Sequence, residues 1–136
     1  MLGFTVLFSD KLRREIASEN GLNFQNIVLA CIHTHTGPAS QPLKACGTVS
    51  LAYLAKLPGK IKRAVRAAIT DQKEAIASFG METIEPIGYN RRNGGFEPAD
   101  PVLKVIIFKR RVRPSSAVYL INYACHPVVL GPIKKI

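Results

Sequence analysis

Asn26-Ile27-Val28-Leu29-Ala30-Cys31-Ile32-His33-Thr34-His35-Thr36-Gly37-Pro38 is the stretch on which the reading of the fold turns. Its apolar run reads as a buried strand that ends in a Gly-Pro turn. Residues i and i+2 of a strand point to the same side, so extended geometry would aim His33 and His35 into one cavity. Imidazole is the commonest protein ligand for a transition metal, which makes the pair a candidate metal or catalytic element. The plainer reading is a polar strand end with two solvated histidines, because H-x-H recurs by chance.

A second segment shifts that balance. Ala117-Val118-Tyr119-Leu120-Ile121-Asn122-Tyr123-Ala124-Cys125 reads as another mostly apolar strand, and it runs into His126-Pro127. All three histidines of the chain therefore fall at the ends of predicted buried strands, where loops gather ligand sites in open α/β sheets. A core histidine satisfied by one hydrogen bond is the competing reading of His126.

Three blocks now carry a resemblance: Asn26 to Pro38, Gly88-Tyr89-Asn90-Arg91-Arg92, and Asn122-Tyr123-Ala124-Cys125-His126-Pro127-Val128-Val129-Leu130-Gly131-Pro132. In order and approximate spacing they resemble successive blocks of the N-terminal domain of the neutral/alkaline ceramidase family, most closely its bacterial ceramidase-like members. The resemblance implies a zinc amidohydrolase that cleaves an N-acyl amide such as that of ceramide. It also implies roles for single residues. His33 and His126 match two zinc ligands, His35 matches a companion histidine that faces substrate or the oxyanion, and Arg91 matches a substrate-side arginine. The family's remaining ligands, a glutamate and a tyrosine, lie in later segments with no counterpart here, so the resemblance implies an internal fragment, truncated at both ends and inactive by itself. Zn2+ is the expected cofactor and a ceramide-like or other N-acyl amide the expected substrate.

Composition admits one core. The chain has 136 residues, 47% of them hydrophobic, enough to fold without disulfide staples but too few for two independent domains. Nineteen Lys and Arg against nine Asp and Glu give a formal charge of +10, which raises anionic partners. The basic residues are dispersed: Lys60, Lys62, Arg63 and Arg66 on a predicted helix, Lys109 to Arg113 in a predicted hairpin, Lys134 and Lys135 at the tail. No aromatic ribonucleoprotein block, zinc-finger spacing or basic zipper accompanies them, which argues against specific nucleic-acid recognition. Solvated faces are the ordinary explanation, with an anionic membrane surface second; a basic module binding membrane or nucleic acid without catalysis is the alternative function. Cys31, Cys46 and Cys125 lack a C-x-x-C pair, against both a disulfide framework and a closed cysteine-rich zinc site. Cys31 and Cys125 read as buried free thiols. The apolar opening residues lack a basic leader and are too short for a signal core.

The predicted order alternates helix and strand. Ser9 or Asp10 caps a short helix that places Leu12 and Ile16 on one face and closes at Asn20-Gly21. The Asn26–Ile32 strand follows. Pro58 then starts a long helix over about Gly59 to Ser78, with Leu51 to Leu57 as a separate turn. Strands are predicted over roughly Glu82 to Tyr89, Leu103 to Lys109 and Ala117 to Cys125, the last two as an antiparallel hairpin. The fold class is α/β, a mixed β-sheet with flanking helices within a larger domain.

Overall fold

A computed structural model describes residues 3–44, 47–97, 99–111 and 116–127. The chain forms two compact units, Met1–Asp71 with Pro127–Ile136, and Gln72–His126. Helices and sheet occur together, as the α/β class requires: α1 is Val6–Asn20, α2 is Leu51–Thr70, and β1 (Ala75–Thr83), β2 (Val102–Arg110) and β3 (Ala117–Asn122) form one sheet.

In the first unit the local signals act much as expected. Thr5, rather than Ser9 or Asp10, caps α1, its hydroxyl accepting from the Phe8 N–H at 3.3 Å. Gly21 closes the helix at φ 62, a left-handed conformation that a Cβ would strain, and the Leu22 N–H returns to the Ala17 carbonyl at 3.0 Å. Leu12 and Ile16 are 2% and 1% exposed and, with Ala17 and Leu57, form the unit's small core.

Two predicted boundaries fail. Helix α2 is continuous through Pro58 instead of starting there, although proline cannot donate to the Leu54 carbonyl. Pro58 faces α1, lining one groove with Phe8 and Leu12. The predicted strand Asn26–Ile32 is not a strand among the described residues. Phe24–Asn26 is a single 3-10 turn, and residues 27–34 have no regular structure.

Lys62 holds the helix pair together. Its ammonium lies 2.6 Å from carboxylate oxygens of both Glu15 and Glu19, and Arg66 approaches Glu19 at 3.6 Å. Because Glu15 meets residue 62 while Glu19 also reaches residue 66, the two helices run in the same direction where they touch. The hydrogen bond from Lys62 holds the Glu15 carboxyl below its ordinary 4.5, and the bonds to Glu15 and then Glu19 raise Lys62 above 10.5.

The second unit contains no helix among its described residues. Strand β2 pairs antiparallel with β1 (Phe79 opposite Ile106) and with β3 (Leu120 opposite Ile106), so all three strands are antiparallel. The β2–β3 hairpin lies where expected, whereas β1 begins at Ala75, inside the predicted long helix, and Ile84 to Tyr89 lie outside it. Cross-strand partners share a face. Phe79, Ile106, Phe108, Val118 and Leu120 therefore lie on one side, and Val105, Ile107, Tyr119 and Ile121 on the other. Both sides are apolar, yet β1 and β3 are exposed along their whole lengths.

Leu12→Ala should cost about 2–5 kcal/mol of unfolding free energy in urea titrations followed by circular dichroism. Leu51→Ala, at a position 75% exposed, should change it by no more than about 0.5 kcal/mol.

The Lys62 cluster predicts the shape of the stability–pH profile. A depressed Glu15 contributes stability above its unfolded value, lost as pH falls through the folded one; a raised Lys62 contributes stability below its unfolded value, lost as pH rises through the folded one. Lys62→Met should therefore flatten the profile of helix melting both below pH 4.5 and above pH 10.5.

Candidate functional site

The His33–Pro38 turn hangs between two anchors in the first unit. Upstream, the Arg13 guanidinium donates from Nε to the Ile27 carbonyl at 2.7 Å and from Nη2 to the Phe24 carbonyl at 3.1 Å, while lying 4.0 Å over the Phe24 ring. Leu29 and Cys31 then line a hollow of about 350 Å³ with Gly3, Phe4, Val6 and Ser9. Downstream, the buried Ser40 hydroxyl donates to the Gly3 carbonyl at 2.6 Å, and the Ser50 N–H donates to the Ala39 carbonyl at 3.0 Å.

Between these anchors His33 adopts φ 59, a left-handed conformation uncommon for residues other than glycine, though histidine, with asparagine and aspartate, takes it more readily than most. The chain therefore reverses locally instead of running extended, and strand alternation is not what brings the imidazoles together. They meet nonetheless. The His33 and His35 ring centroids are 5.1 Å apart at an interplanar angle of 76°, and a ring nitrogen of each lies within 4.8 Å of the other. Thr34 and Thr36 brace the turn, with their hydroxyls 3.1 Å apart and the Thr36 N–H directed at Thr34 Oγ1. Both histidines are exposed, so a solution metal or a substrate has access to them.

The other two predicted site residues belong to the second unit. Arg91 is exposed in the tight Asn90–Gly95 loop, closed by Asn90 N–H to Gly95 carbonyl at 2.6 Å and by Gly94 N–H to Asn90 carbonyl at 3.0 Å. Gly94 takes φ 69, and the Tyr89 and Phe96 rings flank the loop edge-to-face at 5.8 Å. His126 is the unit's last residue, four positions beyond the end of β3, and the chain enters the first unit at Pro127. It is exposed, not the end of a buried strand.

The Gly88–Arg92 and Asn122–Pro127 blocks are in direct contact. The Ile87 N–H donates to the Tyr123 hydroxyl at 3.3 Å, and a Cβ placed on buried Gly88 would stand 2.8 Å from the Ala124 carbonyl oxygen. Only glycine permits that approach. Neither this requirement nor the pinning role of Ser40 carries a signal in a single sequence; both arise from residues about forty positions apart.

The thiols stand differently from expectation. Cys31 is half-buried and its pKa is raised by burial, which leaves it a weak nucleophile. Cys125 is exposed, with its Sγ 4.0 Å from the His126 carbonyl oxygen. Cys46 and the block from Val128 to Pro132 lie outside the described residues. Among the carboxylates of the second unit, Asp100 accepts from the Val102 N–H at 3.0 Å and pairs with Lys104 at 3.9 Å.

Comparison with family models, with curated proteins and with solved structures gives no match.

Gly88→Ala should push the Tyr123–Cys125 backbone away and cost about 1–3 kcal/mol in denaturant melts. Gly95→Ala, where an added Cβ meets nothing within 4 Å, is the control and should cost clearly less. Equal costs would show that the Gly88–Ala124 approach is not tight.

Proposed function

We propose that this chain carries part of the catalytic site of a zinc-dependent amidohydrolase of the neutral ceramidase type, acting on ceramide or a related N-acyl amide. The observation that carries the proposal is the His33–His35 pair, two exposed imidazoles 5.1 Å apart on a turn anchored at both ends. The contact between the Gly88–Arg92 and Asn122–Pro127 blocks supports it, since two of the three ordered blocks are physically one structure.

The donor set suits zinc, for which neutral imidazole nitrogen is a preferred ligand. In this reading His33 and His126 hold the ion. Bound zinc supplies a Lewis acid that lowers the pKa of a water to near neutrality. The chain's own groups then orient the amide. His35, held edge-to-face beside His33, presents a ring N–H to the oxygen on which charge develops. Arg91, exposed on its closed loop, offers a forked donor to the polar head of the substrate. Two imidazoles are half of a tetrahedral site, so the further ligands, a glutamate and a tyrosine by resemblance, must come from outside these residues.

Zinc titration against a competing chelator tests the proposal. The 136-residue chain should bind zinc weakly and release it readily, and His33→Ala and His126→Ala should each weaken binding at least about tenfold, while Arg91→Ala leaves it unchanged. The chain alone should not hydrolyse an N-acyl sphingosine. Unchanged zinc affinity in both histidine variants would overturn the assignment of the ligands. Zinc-dependent hydrolysis abolished by His33→Ala would instead refute the need for outside ligands.

A further inference from the structure

The bonds that anchor the histidine turn also gather apolar side chains that the core does not use. Ser40 ties Gly3 to the segment after the turn, and Ala39 is tied to Ser50, so the N-termini of α1 and α2 and the downstream end of the turn meet at one end of the first unit. Cys31, two residues before His33, reaches the same end, because it lines the hollow with Gly3, Phe4 and Val6. Val6, Leu7, Ile32 and Leu51 are there, exposed by 74%, 85%, 81% and 75%. An exposed apolar rim of this kind marks an interaction site.

Charge indicates the partner. Helix α2 carries Lys56, Lys60, Lys62, Arg63 and Arg66 and not one acidic residue. Lys62 is consumed by Glu15 and Glu19, but Lys56, Lys60 and Arg63 are exposed, as is Lys11 on α1. Apolar side chains at one end with uncompensated cations running back from it are complementary to a bilayer whose headgroups are anionic: the cations attract the surface, and the rim enters the acyl boundary. A nucleic acid would use the cations and leave the aliphatic rim idle.

We propose that Val6, Leu7, Ile32 and Leu51 form a docking end that inserts into an anionic lipid surface and presents the His33–His35 turn to it. Docking follows from the first unit's own residues; that it delivers an amide lipid to the histidines rests on the amidohydrolase reading above. Flotation needs neither zinc nor catalysis, so docking and the amidohydrolase assignment fail separately.

The experiment is flotation of the full chain with phosphatidylcholine vesicles containing about a third phosphatidylglycerol, and with pure phosphatidylcholine. Leu7→Ser and Leu51→Ser are the test variants and Leu22→Ser, beyond the opposite end of α1, is the control; none changes charge, and circular dichroism checks that each keeps its helices. The chain should float with the anionic vesicles, each test variant should bind roughly tenfold more weakly, and the control should bind as the parent does. No flotation, or equal binding by all variants, would overturn the proposal. Displacement by a single-stranded oligonucleotide with no effect of Leu7→Ser would do so as well, identifying mere polycation behaviour.

Discussion

The hydrogen bond from the buried Ser40 hydroxyl to the Gly3 carbonyl, 2.6 Å long, is the constraint on which the candidate site depends. It closes a loop of nearly forty residues against the start of the chain, and the neighbouring Ala39–Ser50 bond extends the closure to α2. With Arg13 holding the other side at Phe24 and Ile27, the histidine turn is fixed at both ends. His33 takes φ 59 within the span between these two anchors.

The two units achieve order by different means. The first combines a small aliphatic core with a cation shared between two carboxylates, so part of its cohesion is ionic and open to pH and salt. The second depends on backbone pairing in a three-stranded sheet, whose apolar side chains on both faces lie largely in water. Sheets with two apolar faces are usually covered on both sides, so this unit gains little from burial in its present state. A close backbone approach lies away from the strands, where Gly88 meets the Ala124 carbonyl, and it is there that the arginine loop and the segment leading to His126 are joined.

Much of this was legible where the determining interaction is local. The Asn20-Gly21 stop of α1, its Leu12 and Ile16 face and the β2–β3 hairpin follow from neighbours in sequence, and they form as read. The apolar run Ile27–Ile32 was not legible, because alternation and hydrophobicity describe a strand only when a partner is present to pair with it. Ala75–Gly80 continues the helical spacing of apolar residues, but pairing with β2, thirty residues away, outweighs that local preference. Pro58 reads as a helix start by its missing N–H, yet it lies inside α2, on the side that borders a groove with α1. The three histidines were identifiable as candidates by residue type and block order. The left-handed turn that pairs two of them lies between the anchors made by Arg13 and Ser40, and neither residue announces such a role.

The central proposal, which rests on the family resemblance, is that His33 and His126 ligate one zinc ion. X-ray absorption at the zinc edge of the metal-loaded chain tests it most directly, because multiple scattering from imidazole rings counts histidine ligands. Two rings should be seen in the parent chain and one in each of His33→Ala and His126→Ala. A count that stays the same when either histidine is removed would contradict the claim.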